Sequence, residues 1–189
     1  MKKEEKLQLT KERLIKAAHK LMCEKDDPAE VTSRTIAAEA DTKPAMINYC
    51  FGSREALLFE AAKLDEEKYK DELDFYKILN SGESPKEILR KMHYRVADYL
   101  INEYKFTKAL TGYILLNRDL EGLNSLPLVR AYYKDRKEDW ELKLISYQLS
   151  SIMQLMIYRI EDLSSFTGMD LRKEIYKVID LEIDLLLEE

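Results

Sequence analysis

Glycine and proline are scarce, at five and four residues in 189, so little interrupts the long stretches of Leu, Glu, Lys, Ala, Ile and Met that favour helix. No segment alternates apolar and polar residues as a strand does. Cysteine is nearly absent: Cys23 and Cys50 are too few for a disulfide framework and lack metal-ligand spacing, so both are expected as reduced thiols. No run approaches the roughly 18 apolar residues of a membrane span. The charged start Met1-Lys2-Lys3-Glu4-Glu5 has no apolar signal core behind it, which points to a cytoplasmic protein without a membrane partner. His19 and His93 are far apart, no Glu-x-x-His pair occurs and no glycine-rich phosphate loop appears. An enzyme, a metal site and a cofactor are therefore all unexpected.

The length allows a small head on a larger body. The net charge is -5, yet residues 1–60 hold 11 Lys+Arg against 11 Asp+Glu, leaving 20 against 25 in the remainder. A neutral head can still bind phosphates if its basic residues share one surface, so charge neither supports nor excludes a nucleic-acid partner.

Leu7, Leu14, Ala18 and Leu21 recur at helical spacing and predict an amphipathic helix over about Thr10 to Glu24. Thr32-Ser33 is a helix-start signal, followed by Ile36, Ala37 and Ala40 as the core side of a short helix. Pro44 announces a third helix running to about Cys50, since a proline costs no ladder bond in a first turn. After Phe51-Gly52, Ser53 opens a long helix expected to reach about residue 80. Ser84-Pro85 starts the next, and Glu121 to Pro127 reads as a loop. A long helical stretch from about Leu128 to Asp162, with a break near Ser146, a loop over Ser164 to Asp170, and a last helix from Leu171 to about Leu187 complete the pattern. The last helix has an apolar face too broad for one neighbour.

The short helices Thr32 to Ala40 and Pro44 to Cys50 have the lengths of a helix-turn-helix, whose second helix enters the DNA major groove. The run from Val31 to Leu58 resembles the N-terminal signature of the TetR family of regulators. The resemblance lies in Ala17-Ala18 and Leu21, in Thr32, Ile36-Ala37 and Ala40, in Ile47-Asn48-Tyr49 with Phe51, and in Ser53-Arg54-Glu55 with Leu57. Three positions depart from it: Asp41 stands where glycine is frequent, Asn48 where an aromatic is, and Cys50 where His or Tyr is. Aspartate tolerates the left-handed conformation such a turn requires.

The resemblance implies an all-α protein: a three-helix DNA-binding domain over 1–52 and a larger effector-binding and dimerisation domain over 53–189, joined by the helix from Ser53. It places Tyr49 and Arg54 on phosphates, Thr32 and Ser33 near the DNA backbone, and Arg34, Lys43, Met46 and Asn48 at base edges, with the compact Pro44 and Ala45 allowing close approach. The chemistry agrees, because Arg pairs with guanine, Asn with adenine, and Met touches the thymine methyl. Double-stranded DNA with a palindromic operator and a homodimer follow as partners, since two half-sites need a two-fold axis. An apolar or aromatic effector is implied for the body, where Met92, Tyr113, Tyr147 and Met153 are candidate ligand contacts. Release of a repressor by that effector is the expected mechanism. The competing reading is a small-molecule or protein-binding module of the same fold without DNA binding.

Overall fold

The computed structural model describes residues 3–25, 27–72, 75–121 and 123–188, with backbone alone at 3, 65–72 and 75. Most of these residues are helical, and no strand occurs among them. By internal packing the chain divides into two units, residues up to 69 with 108–116, and residues 70–107 with 117 onward. The packing boundary lies later in the chain than the functional boundary expected after Gly52.

The first unit begins with α1 (Lys3–Glu24), which starts seven residues before the expected Thr10. Leu14, Ala17, Ala18 and Leu21 recur along one side of it and are buried, at the spacing that makes a helix stripe. This side packs on both α2 (Ser33–Glu39) and α3 (Ala45–Phe51). Ile36 and Ile47 are wholly buried, and Leu57, Leu58 and Ala61 of α4 (Arg54–Glu72) are wholly buried too. Fully burying each Ile or Leu is worth roughly 1.5–3 kcal/mol, which is why this small head holds three helices together.

In the second unit, α5 (Phe75–Leu79) is followed by α6 (Pro85–Asn102), whose start is capped where Ser84 Oγ accepts from the Glu87 amide at 3.3 Å. Residues 73 and 74, within the long helix expected from Ser53, lie outside the described residues. Then come α7 (Tyr104–Asn117), shared between the units, α8 (Leu126–Tyr133), α9 (Asp139–Tyr158), α10 (Ile160–Thr167) and α11 (Ile175–Leu186). Leu89, Val129, Leu149, Ile157, Ile179 and Ile183 form the centre of this unit's core. Arg90 reaches Asp180 at 2.6 Å and Asp184 at 2.9 Å, tying α6 to α11. Tyr94 stacks on Tyr176 with ring centroids 4.1 Å apart. The last carbonyls of α11, which have no partner within the helix, accept from Tyr133 at 2.8 Å, Tyr132 at 3.0 Å and Lys86 at 2.9 Å.

Three expected boundaries in the body are corrected. The helical stretch after Leu128 breaks at Lys134 to Glu138 and at Arg159, not at Ser146. Lys134 adopts a positive φ of 53° that ends α8, and Glu138 then opens α9 in a reciprocal cap with Glu141. Ser146 is buried in mid-helix, its hydroxyl 2.6 Å from that of Ser125. The loop expected from Ser164 is helix as far as Thr167, stopped by Gly168 in the left-handed region at φ 72°. The last helix starts at Ile175, after turns over 171–174.

Candidate nucleic-acid interface

Thr32 caps α2: its hydroxyl accepts from the Thr35 amide at 3.1 Å, and the Thr35 hydroxyl accepts from the Thr32 amide at 2.9 Å. Each supplies a partner to an amide that the helix leaves unpaired. α2 closes with the Asp41 amide donating to Ala38 at 3.1 Å and the Thr42 amide to Ala37 at 2.9 Å. This pair of closing bonds demands a left-handed residue, and Asp41 supplies it at φ 49°. Arg13 on α1 donates to the Asp41 carbonyl at 3.4 Å and braces the turn. Asp41 thus does the work of the glycine frequent at this place.

α3 follows directly after Pro44, which adopts helical angles of φ -53° and ψ -33°. With 100° between successive residues, Ile47 points one way and Ala45, Asn48 and Tyr49 the other. Burial agrees: Ile47 is wholly buried, whereas Ala45, Asn48 and Tyr49 are exposed, Tyr49 at 66%. Lys43, Pro44 and Arg34 are exposed too, and Thr32, Ser33 and Met46 are half-buried. Among the described residues neither Arg34 nor Lys43 has an ion pair, unlike Lys20, which meets Glu39 at 2.7 Å, and Lys25, which meets Glu30 at 3.2 Å. Arg34 on α2 and Lys43 before α3 are therefore uncommitted.

Arg54 is placed differently from these. Its guanidinium donates to the Val31 carbonyl at 3.3 Å and to Glu55 at 3.1 Å, and so pins the start of α4 to the segment before α2. Ser53 accepts from the Ala56 amide at 3.0 Å as the cap of α4. Burial pushes the Cys50 thiol up, partly opposed by the charge of Lys11. Cys50 is thus a half-buried filler, not an activated thiolate. The contributions of Arg13 and Lys11 were not legible in the sequence, where both are ordinary surface charges of an amphipathic helix.

Of the four effector candidates, one falls in the first unit and three in the second. Tyr113 lies against Phe59 in the first unit, with ring centroids 5.7 Å apart. In the second unit Met92 is half-buried, Tyr147 is exposed, and Met153 is enclosed in the core. An open cleft of about 400 Å³ in the second unit is lined by Tyr133, Arg136, Lys137, Ile145 and Leu185, and by none of the four. His93 is buried, with Nδ1 2.7 Å from the Leu89 carbonyl. Burial lowers its pKa and favours the neutral imidazole, against the pull of the Leu89 and Leu149 carbonyls.

Residues 14–61 match the family model described as bacterial regulatory proteins, tetR family. The match covers α1 from Leu14, α2, α3 and the start of α4, the elements that present the bare side of α3. Residues 14–61 are therefore a tetR-type N-terminal domain, the helix-turn-helix DNA-binding part of bacterial transcriptional regulators. Neither the curated proteins nor the solved structures gave a match. No helix among the described residues is long and apolar enough to cross a membrane.

Proposed function

We propose that the protein works as a homodimeric repressor that holds a palindromic operator and leaves it when a small apolar or aromatic effector enters the body. The observation that carries this reading is the exposed outer side of α3, together with the exposed Arg34 on α2 and Lys43 before α3, neither of which has an ion pair among the described residues. Asn48 and Arg34 read base edges, Met46 and Lys43 assist them, and Pro44 and Ala45 keep the helix close to the groove floor. Tyr49 holds a phosphate, Thr32 and Ser33 approach the backbone, and Arg54 contributes by holding the α2 start in place while turning its remaining N–H groups towards phosphate.

Dimerisation uses the neighbouring outer sides of α9 and α11. Leu144, Ile152 and Leu155 on α9 and Leu181 and Leu185 on α11 are exposed, beyond what these helices bury internally. Two copies set the recognition helices about 34 Å apart, one turn of DNA. Effector binding shifts α4, which follows α3 directly, and so changes the spacing between heads. A coupling of roughly 1–3 kcal/mol corresponds to about a 5- to 150-fold loss of operator affinity.

Titrating wild-type protein and the Tyr49→Ala and Arg34→Ala variants against selected genomic fragments at several salt concentrations tests the assignment. Wild-type affinity is expected to fall steeply with salt. Tyr49→Ala should weaken binding to all sequences alike, and Arg34→Ala should relax specificity by about 1–3 kcal/mol at one base pair. Wild-type protein that ignores DNA at low salt would leave only a helical small-molecule or protein-binding module.

A further inference from the structure

Arg118 follows the last residue of α7 and is half-buried. Among the described residues it has neither an ion pair nor a side-chain hydrogen bond, and the group that acts on its charge is the Tyr147 phenol. Burial loosens its hold on the proton, as expected of a cation taken from water without a carboxylate to replace the lost solvation. Arg90 and Arg130 in the same unit each meet at least one carboxylate, at 2.6 Å.

Tyr147 shares a face of α9 with Ser151 and Gln154, at i, i+4 and i+7. Ser151 Oγ and Gln154 Oε1 are both buried without a hydrogen-bond partner among the described residues. Folded proteins pair nearly all such atoms, and an unmatched one calls for an explanation. Two unmatched oxygens and a phenol thus share one side of α9, and the phenol is the group through which the unpaired guanidinium of Arg118 meets that side. A bound cation would be repelled by Arg118, and an apolar ligand would leave all four polar groups unmatched. A carboxylate matches them: it accepts from the guanidinium and from the Tyr and Ser hydroxyls, while the Gln amide reorients to donate.

We propose that Arg118, with Tyr147, Ser151 and Gln154, receives the anionic head of the effector, a small monocarboxylate with an apolar or aromatic body. This rests on the reading of the body as a small-molecule sensor. It places the head group outside the cleft at Tyr133 and assigns Tyr147 a defined partner.

The test measures binding of benzoate, phenylacetate and octanoate, each beside its neutral amide, to the full-length protein by thermal shift and calorimetry. At least one carboxylate is expected to bind where its amide does not. Arg118→Met should lower that affinity at least tenfold, Arg118→Lys less, and Tyr147→Phe about threefold. Circular dichroism checks that each variant is folded, and Tyr147→Phe carries the comparison if Arg118→Met is not. Amides that bind as tightly as carboxylates, folded variants that bind as wild type does, or no binding by any of the three acids would overturn the proposal. DNA binding by the unliganded wild-type protein is measured alongside. If it persists while the acids fail, only the anion site is lost; if it too is absent, the regulator reading goes with it.

Discussion

Two residues of this chain sit where their chemistry is least comfortable. Asp41 takes a positive φ of 49° to close the turn between α2 and α3. Asp41→Gly should leave stability unchanged or raise it slightly. Asp41→Val, whose branched side chain is strained there, should lose roughly 1–2 kcal/mol in a urea titration. Glu182 is buried on α11 with both carboxylate oxygens unmatched, and burial pushes its pKa up from 4.5 to about 8. The folded chain therefore keeps a proton that the unfolded chain has released. Stability from this residue is intact below about pH 4.5, declines as the pH rises, and is lost above about pH 8. Glu182→Leu should stabilise the protein by on the order of 3 kcal/mol at neutral pH, with the gain shrinking towards pH 5. A gain that does not vary with pH in denaturant titrations would contradict the burial of an ionisable group at this position.

At the scale of elements, the head was legible in the sequence and the body only in part, for a physical reason. The starts of α2, α4 and α6 carry local signals, with Thr32, Ser53 and Ser84 each accepting from an amide three residues on. The break between α8 and α9 has no such signal: it depends on Lys134 in a conformation few lysines adopt and on a glutamate cap. Ser146 looked like a helix breaker because serine competes for backbone bonds. Its partner is Ser125, 21 residues away, a tertiary contact no local window contains. The exposed side of α3 was visible in its spacing, whereas the duty of Arg54 towards Val31 was not. The exposed leucines of α9 and α11 carry the element-scale expectation. Leu181→Glu with Leu185→Glu should turn dimers into folded monomers, read by sedimentation and circular dichroism. A double variant that remains dimeric would place the interface elsewhere.

For the molecule as a whole, the charge is divided unevenly. Residues 1–60 are balanced while the remainder carries the net -5, so under the proposed function attraction to DNA rests on local cations such as Arg34 and Lys43 and not on a global field. In the proposed dimer, two heads related by a two-fold axis would recognise inverted half-sites, which a single head makes too few contacts to select against a genome. The most direct measurement is selection of sheared genomic DNA on the purified full-length protein at physiological salt, followed by sequencing of the retained fragments. The expected result is a small set of sites sharing an inverted repeat with half-sites about one helical turn apart. Retained fragments without a common repeat, or none retained above background, would contradict DNA reading by the outer side of α3.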